Sequence, residues 1–127
     1  MKKAHTTRTL RSFKRVKKND SLQMLTCYDF QTASMLDETD LDLILVGDSL
    51  GNVVLGYETT VEVTLGDMIT FGSAVKRGAK NKFVVVDLPF GTYTHFQQGL
   101  EAAVELFQKT KAEAVKLEGC HPHHIEL

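Results

Sequence analysis

The chain has 127 residues, 43% hydrophobic and 24% charged, the usage of an ordinary globular domain with room for one core rather than two. A formal net charge of -1 excludes a nucleic-acid or membrane surface built on overall charge, and no apolar run is long enough to span a bilayer. Cys27 and Cys120 make no CxxC pair and no disulfide framework, so a reducing, cytoplasmic setting is expected.

The chain begins with a basic stretch: eight of the 15 basic residues lie within residues 1–18, and no acid precedes Asp20. Lysine dominates the run, and Leu10, Phe13 and Val16 keep a helical spacing, so a solvated basic helix over residues 1–20 is expected rather than an organellar transit peptide. Four short apolar runs follow, Leu22 to Cys27, Leu41 to Val46, Phe83 to Val86 and Ala114 to Leu117, each reading as a buried strand. A short helix is expected from Thr32 to Glu38. The polar loop Tyr57 to Val63 leads into a helix with Leu65, Met68, Ile69 and Val75 on one face and Gly78 as its C-terminal stop. The last helix opens at Thr94 with Gln97 three residues on, a capping-box pattern. Its stripe is Phe96, Leu100, Ala103, Val104 and Phe107, and Lys109 and Lys111 suit its C-terminal dipole.

Nearly all-apolar strands separated by amphipathic helices argue for a parallel sheet covered by helices, in either a doubly wound sheet or a barrel. In both, ligands bind at the carboxyl ends of the strands, and every strand here ends in polar residues. These are Tyr28-Asp29, Asp48-Ser49, Asp87, and Lys116 to Glu118. Asp48 and Asp87, with Glu118 nearby, make a hard oxygen-donor set suited to Mg²⁺; the alternative, that each aspartate merely caps the following helix or turn, loses ground when several stand at matching positions. Gly47, Gly51 and Gly56 let the backbone approach a small ligand, but they form neither GxGxxG nor GxxxxGK[ST], so the common nucleotide cradles are absent. Lys116 alternates with Val115 and Leu117 and points to the face opposite theirs, inward, where it needs an acid or an anionic ligand. The tail Cys120-His121-Pro122-His123-His124 fits no zinc spacing and reads as a polar loop.

The segments LTCYD at 25–29, LVGDSLGNVVLGYETT at 45–60, VKRGA at 75–79, VVDLPFGTY at 85–93 and VKLEG at 115–119 resemble the ketopantoate hydroxymethyltransferase family, in that family's order. The resemblance implies the first half of a (β/α)8 TIM-type barrel with about four parallel strands, a single partial domain. It implies transfer of a hydroxymethyl group from 5,10-methylenetetrahydrofolate to 3-methyl-2-oxobutanoate, giving 2-dehydropantoate in pantothenate synthesis. It further implies Mg²⁺ and a cytoplasmic homo-oligomer, a decamer in the family. Asp48 and Asp87 match metal ligands, Ser49 and Lys116 match groups holding the substrate carboxylate, and Glu118 matches an acid near the metal. Asp48 and Asp87 count among the substrate-binding residues as well. The family's catalytic base, a substrate-contacting histidine and much of its folate pocket have no counterpart here, so no catalytic residue is expected in this chain.

At 127 residues the chain is about half of a typical barrel of roughly 250. Its close at Ile125-Glu126-Leu127 reads as the interior of a helix's first turn, and truncation is the expectation. Half a barrel would leave its first and fourth strands as open edges, so self-association or pairing with a complementing second half is expected. Two competing readings are a catalytically silent module that binds metal and a 2-oxo acid, and a related barrel lyase acting on another 2-oxo acid. The GDSLG and DLPF contexts weigh against the lyase.

Overall fold

The protein was analysed as a computed structural model, which describes residues 21–119 and Pro122. The basic helix expected over residues 1–20 and, Pro122 apart, the Cys120 to His124 segment lie outside the described residues. Four strands, β1 (Met24–Thr26), β2 (Leu43–Val46), β3 (Phe83–Asp87) and β4 (Ala114–Lys116), alternate with three helices, α1 (Phe30–Asp37), α2 (Leu65–Gly78) and α3 (Phe96–Thr110). All strand pairs are parallel, and the sheet order is β1-β2-β3-β4.

That order decides between the two architectures. A doubly wound sheet reverses its strand order at a switch point, whereas in a (β/α)8 barrel each strand lies beside the one before it. The chain is α/β, with the sequential parallel sheet of the first half of such a barrel. Among the described residues, no helix is long and apolar enough to cross a membrane.

Strand alternation sorts the side chains into two faces. Ile44, Val46, Val84 and Val86 are fully buried against the helices, where they join Met68 and Val75 of α2 and Leu106 of α3. Burying a side chain such as Met68 or Val75 contributes about 1.5–3 kcal/mol. Register places Leu45 beside Val85, Val85 beside Ala114, and Asp87 beside Lys116 on the opposite face. The inward-facing polar pair therefore sits at the carboxyl end of the sheet.

Helix α2 starts on a capping box, with Thr64 Oγ1 accepting from Asp67 N at 3.2 Å and Asp67 Oδ2 accepting from Thr64 N at 2.9 Å. Gly78 is not a stop signal beyond the helix but its last helical residue. A Cβ there would lie 2.5 Å from the Phe30 carbonyl oxygen and 2.8 Å from Ala33 Cβ, so the glycine exists for the close approach of α1.

The cap of α3 is one residue later than expected. His95 is the N-cap, its Nδ1 accepting from Gln98 N, while Gln98 Oε1 accepts from both the backbone and the hydroxyl of Thr94. The expected apolar stripe does not face the core. Gly99, Ala102, Leu106 and Thr110 are buried, while Phe96, Leu100, Val104 and Phe107 are exposed. Small residues let α3 approach α2, where a Cβ on Gly72 would meet Thr110 and Val86 at 3.1 Å, and the bulky face turns away. Strand β1 is likewise shorter than the apolar run and exposed, and among the described residues it is an edge strand paired with β2 alone.

Candidate active site

The loops that follow β1, β2 and β3, together with the end of β4, bring the strand-end polar residues to one mouth. Beyond β1, Cys27 N donates to Leu45 O at 3.0 Å, which carries the register one residue past the strand and sets Tyr28 beside the β2 loop. Tyr28 Oη and Ser49 Oγ are 2.8 Å apart. Asp29 leaves the site: its Oδ1 accepts from Thr32 N at 2.8 Å and its Oδ2 from the Thr32 hydroxyl at 2.7 Å, making it the N-cap of α1.

After β2 the chain turns tightly, with Leu50 N donating to Gly47 O and Gly51 N donating to Asp48 O. A π-helical turn, Gly51–Leu55, follows and ends on Gly56 in the left-handed region at φ 76°. Gly51 is needed for the fold of this loop, because a Cβ there would lie 2.6 Å from Val63 Cγ2. A Cβ on Gly47 would lie 3.2 Å from Ser49 Oγ and 3.9 Å from Asp87 Oδ2, so both side chains border Gly47. Asp48 is half-buried in the same turn, and its carboxylate takes no hydrogen bond from any described residue.

Asp87 is the one buried carboxylate of the group, and Lys116 Nζ donates to its Oδ2 at 2.7 Å and to Glu118 Oε2 at 2.7 Å. Burial pushes the Asp87 carboxyl above its usual range, against the pull of Lys116, and the neighbouring charges of Asp48 and Glu118 push the same way. For Lys116, partial burial works against the charge, but the hydrogen bonds to Asp87 and Glu118 outweigh it and hold the ammonium above its usual range. Glu118, fully exposed, is held below the usual carboxylate range by the hydrogen bond and charge of Lys116.

The inward lysine thus has the acidic partner its position demanded. The Asp87 Oδ1 atom does not: it is buried and has no hydrogen-bond partner among the described residues. A buried, unpartnered carboxylate oxygen is costly unless something completes it. With Asp48 alongside, the donor chemistry fits a hard divalent cation, which Asp48 and Asp87 would hold. Among the described residues, no three His, Cys, Asp or Glu side chains converge as a ready metal cluster, and Glu118 is turned to Lys116 rather than to the two aspartates.

Strand-end reasoning named Tyr28 without giving it a role, and it did not reach Tyr93. The positional argument that marked Asp48 applied equally to Tyr28. Tyr93 lies in the loop after β3; burial raises its phenol, against a backbone hydrogen bond from Glu118, and the Asp87 and Glu118 charges add to the rise. Nothing in its local sequence pattern marks that approach.

Known proteins resemble this chain along most of its length. A model of the ketopantoate hydroxymethyltransferase family matches residues 5–127. A 3-methyl-2-oxobutanoate hydroxymethyltransferase of Staphylococcus carnosus is 54% identical over 106 residues, covering 83% of this chain and 39% of the relative. Those of an Exiguobacterium species and of Deinococcus radiodurans are 50% and 53% identical over 91% and 84% of this chain, and 41% and 38% of their own lengths. The chain therefore spans about two-fifths of the length of the relatives it matches. With the family model matching nearly all of it, the chain belongs to the ketopantoate hydroxymethyltransferase family.

Proposed function

We propose that this chain provides the metal- and 2-oxo-acid-binding part of a hydroxymethyltransferase that converts 3-methyl-2-oxobutanoate to 2-dehydropantoate with 5,10-methylenetetrahydrofolate. The observation that carries the reading is the buried Asp87 carboxylate at the carboxyl end of a parallel sheet, with one oxygen on an ammonium and Oδ1 unpartnered among the described residues. Mg²⁺, held by Asp48 and Asp87, is the proposed metal. When bound, it supplies a Lewis acid for the 2-oxo oxygen of the substrate.

The chain's own residues bind and orient. Lys116, kept protonated by Asp87 and Glu118, is the cation available to the substrate carboxylate, and Ser49, on the loop after β2, supplies a neutral donor. Asp87 is assigned to the metal, and Glu118, held below its usual range by Lys116, is a weak base, so neither is assigned as the base that takes the proton of the branched carbon. That base, and the folate contacts, are assigned to the remaining three-fifths of the barrel seen in the relatives' lengths. A cytoplasmic homo-oligomer goes with the same reading, on the strength of family membership.

The test is formation of 2-dehydropantoate by this chain assembled with a complementing second half. We expect Mg²⁺-dependent turnover that Asp48→Ala abolishes. No turnover by a folded assembly, or undiminished turnover in Asp48→Ala, would sink the assignment.

A further inference from the structure

Ser49 is held almost completely by its backbone. Its carbonyl accepts from Asn52 N at 3.1 Å and Val53 N at 3.0 Å, and the turn before it is closed by Leu50 N to Gly47 O. What the backbone leaves undetermined is the rotation of the hydroxyl, and that hydroxyl has only one proton. Tyr28 reaches it at 2.8 Å from the neighbouring loop. Its ring is packed against the hydrophobic core, and its backbone is bracketed by the Cys27 N to Leu45 O bond on one side and the Asp29 cap on the other. The phenol is thus a fixed point and the serine hydroxyl a rotor.

We infer that Tyr28 is a positioning residue that donates to Ser49 Oγ and thereby turns the serine's single proton toward an anionic ligand, the carboxylate of a 2-oxo acid. The inference rests on the 2-oxo-acid site proposed above. Its chemistry follows from proton count. If Ser49 donates to a carboxylate, it has no second proton for Tyr28, so the 2.8 Å bond requires the phenol to be the donor. In the reverse orientation Ser49 would spend its proton on Tyr28 and offer the carboxylate a lone pair, which repels it. The phenol therefore selects the useful rotamer without touching the ligand. Glycine at position 47 leaves the serine room to turn, since even a methyl group there would come within 3.2 Å of Ser49 Oγ.

The test uses the chain completed by the remaining barrel strands, supplied in cis or in trans, with calorimetric titration of 3-methyl-2-oxobutanoate in the presence of Mg²⁺, and of Mg²⁺ alone. Tyr28→Phe keeps the ring and removes only the hydroxyl. It is expected to weaken 2-oxo-acid binding roughly five- to tenfold while leaving Mg²⁺ affinity and melting temperature unchanged. Ser49→Ala is expected to weaken it at least as much, and the double variant no further than Ser49→Ala alone, because the phenol acts only through the serine. Tyr28→Phe that binds the acid as tightly as the parent overturns the inference and leaves the function intact. So does additivity of the two substitutions, or a loss of Mg²⁺ affinity and melting temperature in Tyr28→Phe. A parent that binds Mg²⁺ but not the acid overturns the proposed function and this inference together.

Discussion

The two ends of the sheet carry the same kinds of residues and treat them differently. At the amino end, Glu113 joins Lys76 to the backbone of β3, accepting from Val84 N at 2.8 Å, while Glu113 N donates to Val84 O. Asp37 accepts from both the backbone and the side-chain nitrogens of Asn81, at 2.9 and 2.8 Å, and the buried Lys82 donates to the Thr39 carbonyl. Each of these carboxylates is answered on both oxygens. At the carboxyl end, and among the described residues, Asp87 has one oxygen on Lys116 and the other buried without a partner, and Asp48 has no partner. An end whose polar groups are all satisfied internally serves stability. An end that leaves them unsatisfied gives up some stability in favour of something that arrives from outside.

That contrast breaks if substitutions at the two ends have the same effect. The largest stability loss is expected for Glu113→Ala, which strands Lys76 and removes the acceptor of Val84 N, at about 3 kcal/mol in denaturant unfolding. Its affinity for Mg²⁺ should be unchanged, and a parallel fall in both would erase the distinction. Next comes Asp87→Asn, for which about a 30-fold loss of Mg²⁺ affinity, or about 2 kcal/mol, is expected in calorimetry. Because burial already disfavours the charged form of Asp87, the amide should melt no lower than the parent without metal. A drop of several degrees would mean that the carboxylate serves structure after all.

The smallest effect sharpens the comparison, since Asp29 sits at the mouth yet behaves like an amino-end residue. Its carboxyl is held below its usual range by the hydrogen bonds of Thr32, backbone first and then hydroxyl. With the folded value below the unfolded one, the stabilisation is complete above the unfolded pKa and disappears as pH falls through the folded value. Asp29→Ala should therefore cost about 1 kcal/mol near neutral pH. The two proteins should converge in acid, well below about pH 4. Melting curves across that range check it, and a gap that persists in acid would assign the loss to something other than the cap.

The strands and the positions of Asp48, Asp87, Lys116 and Glu118 were readable in the sequence because apolar runs and period-two alternation are local signals, and the parallel topology brings the strand ends together. Periodicity alone left the barrel and the doubly wound sheet both open; the family resemblance chose the barrel and the sheet order bears it out, since β1-β2-β3-β4 is a property of pairing and not of any one segment. The α3 stripe misled for a physical reason. Phe96, Leu100, Val104 and Phe107 do recur at helical spacing, but periodicity reports an apolar face without saying what it faces, and glycine and alanine gave the closer approach to α2. The Tyr28 to Ser49 bond spans 21 residues and depends on the register of two loops, so no local pattern shows it.

The contact at Gly78 sets a dimensional tolerance for the mouth. Its missing Cβ would press on the carbonyl of Phe30, two residues from Tyr28, so the outer shell of helices acts as the datum surface from which the phenol's position is measured. Relieving a 2.5 Å approach takes a displacement on the order of an ångström, a distance at which positioning of reacting groups can already fail by roughly a hundredfold. Accuracy in the interior of this fold is thus inherited from a backbone contact on its outside.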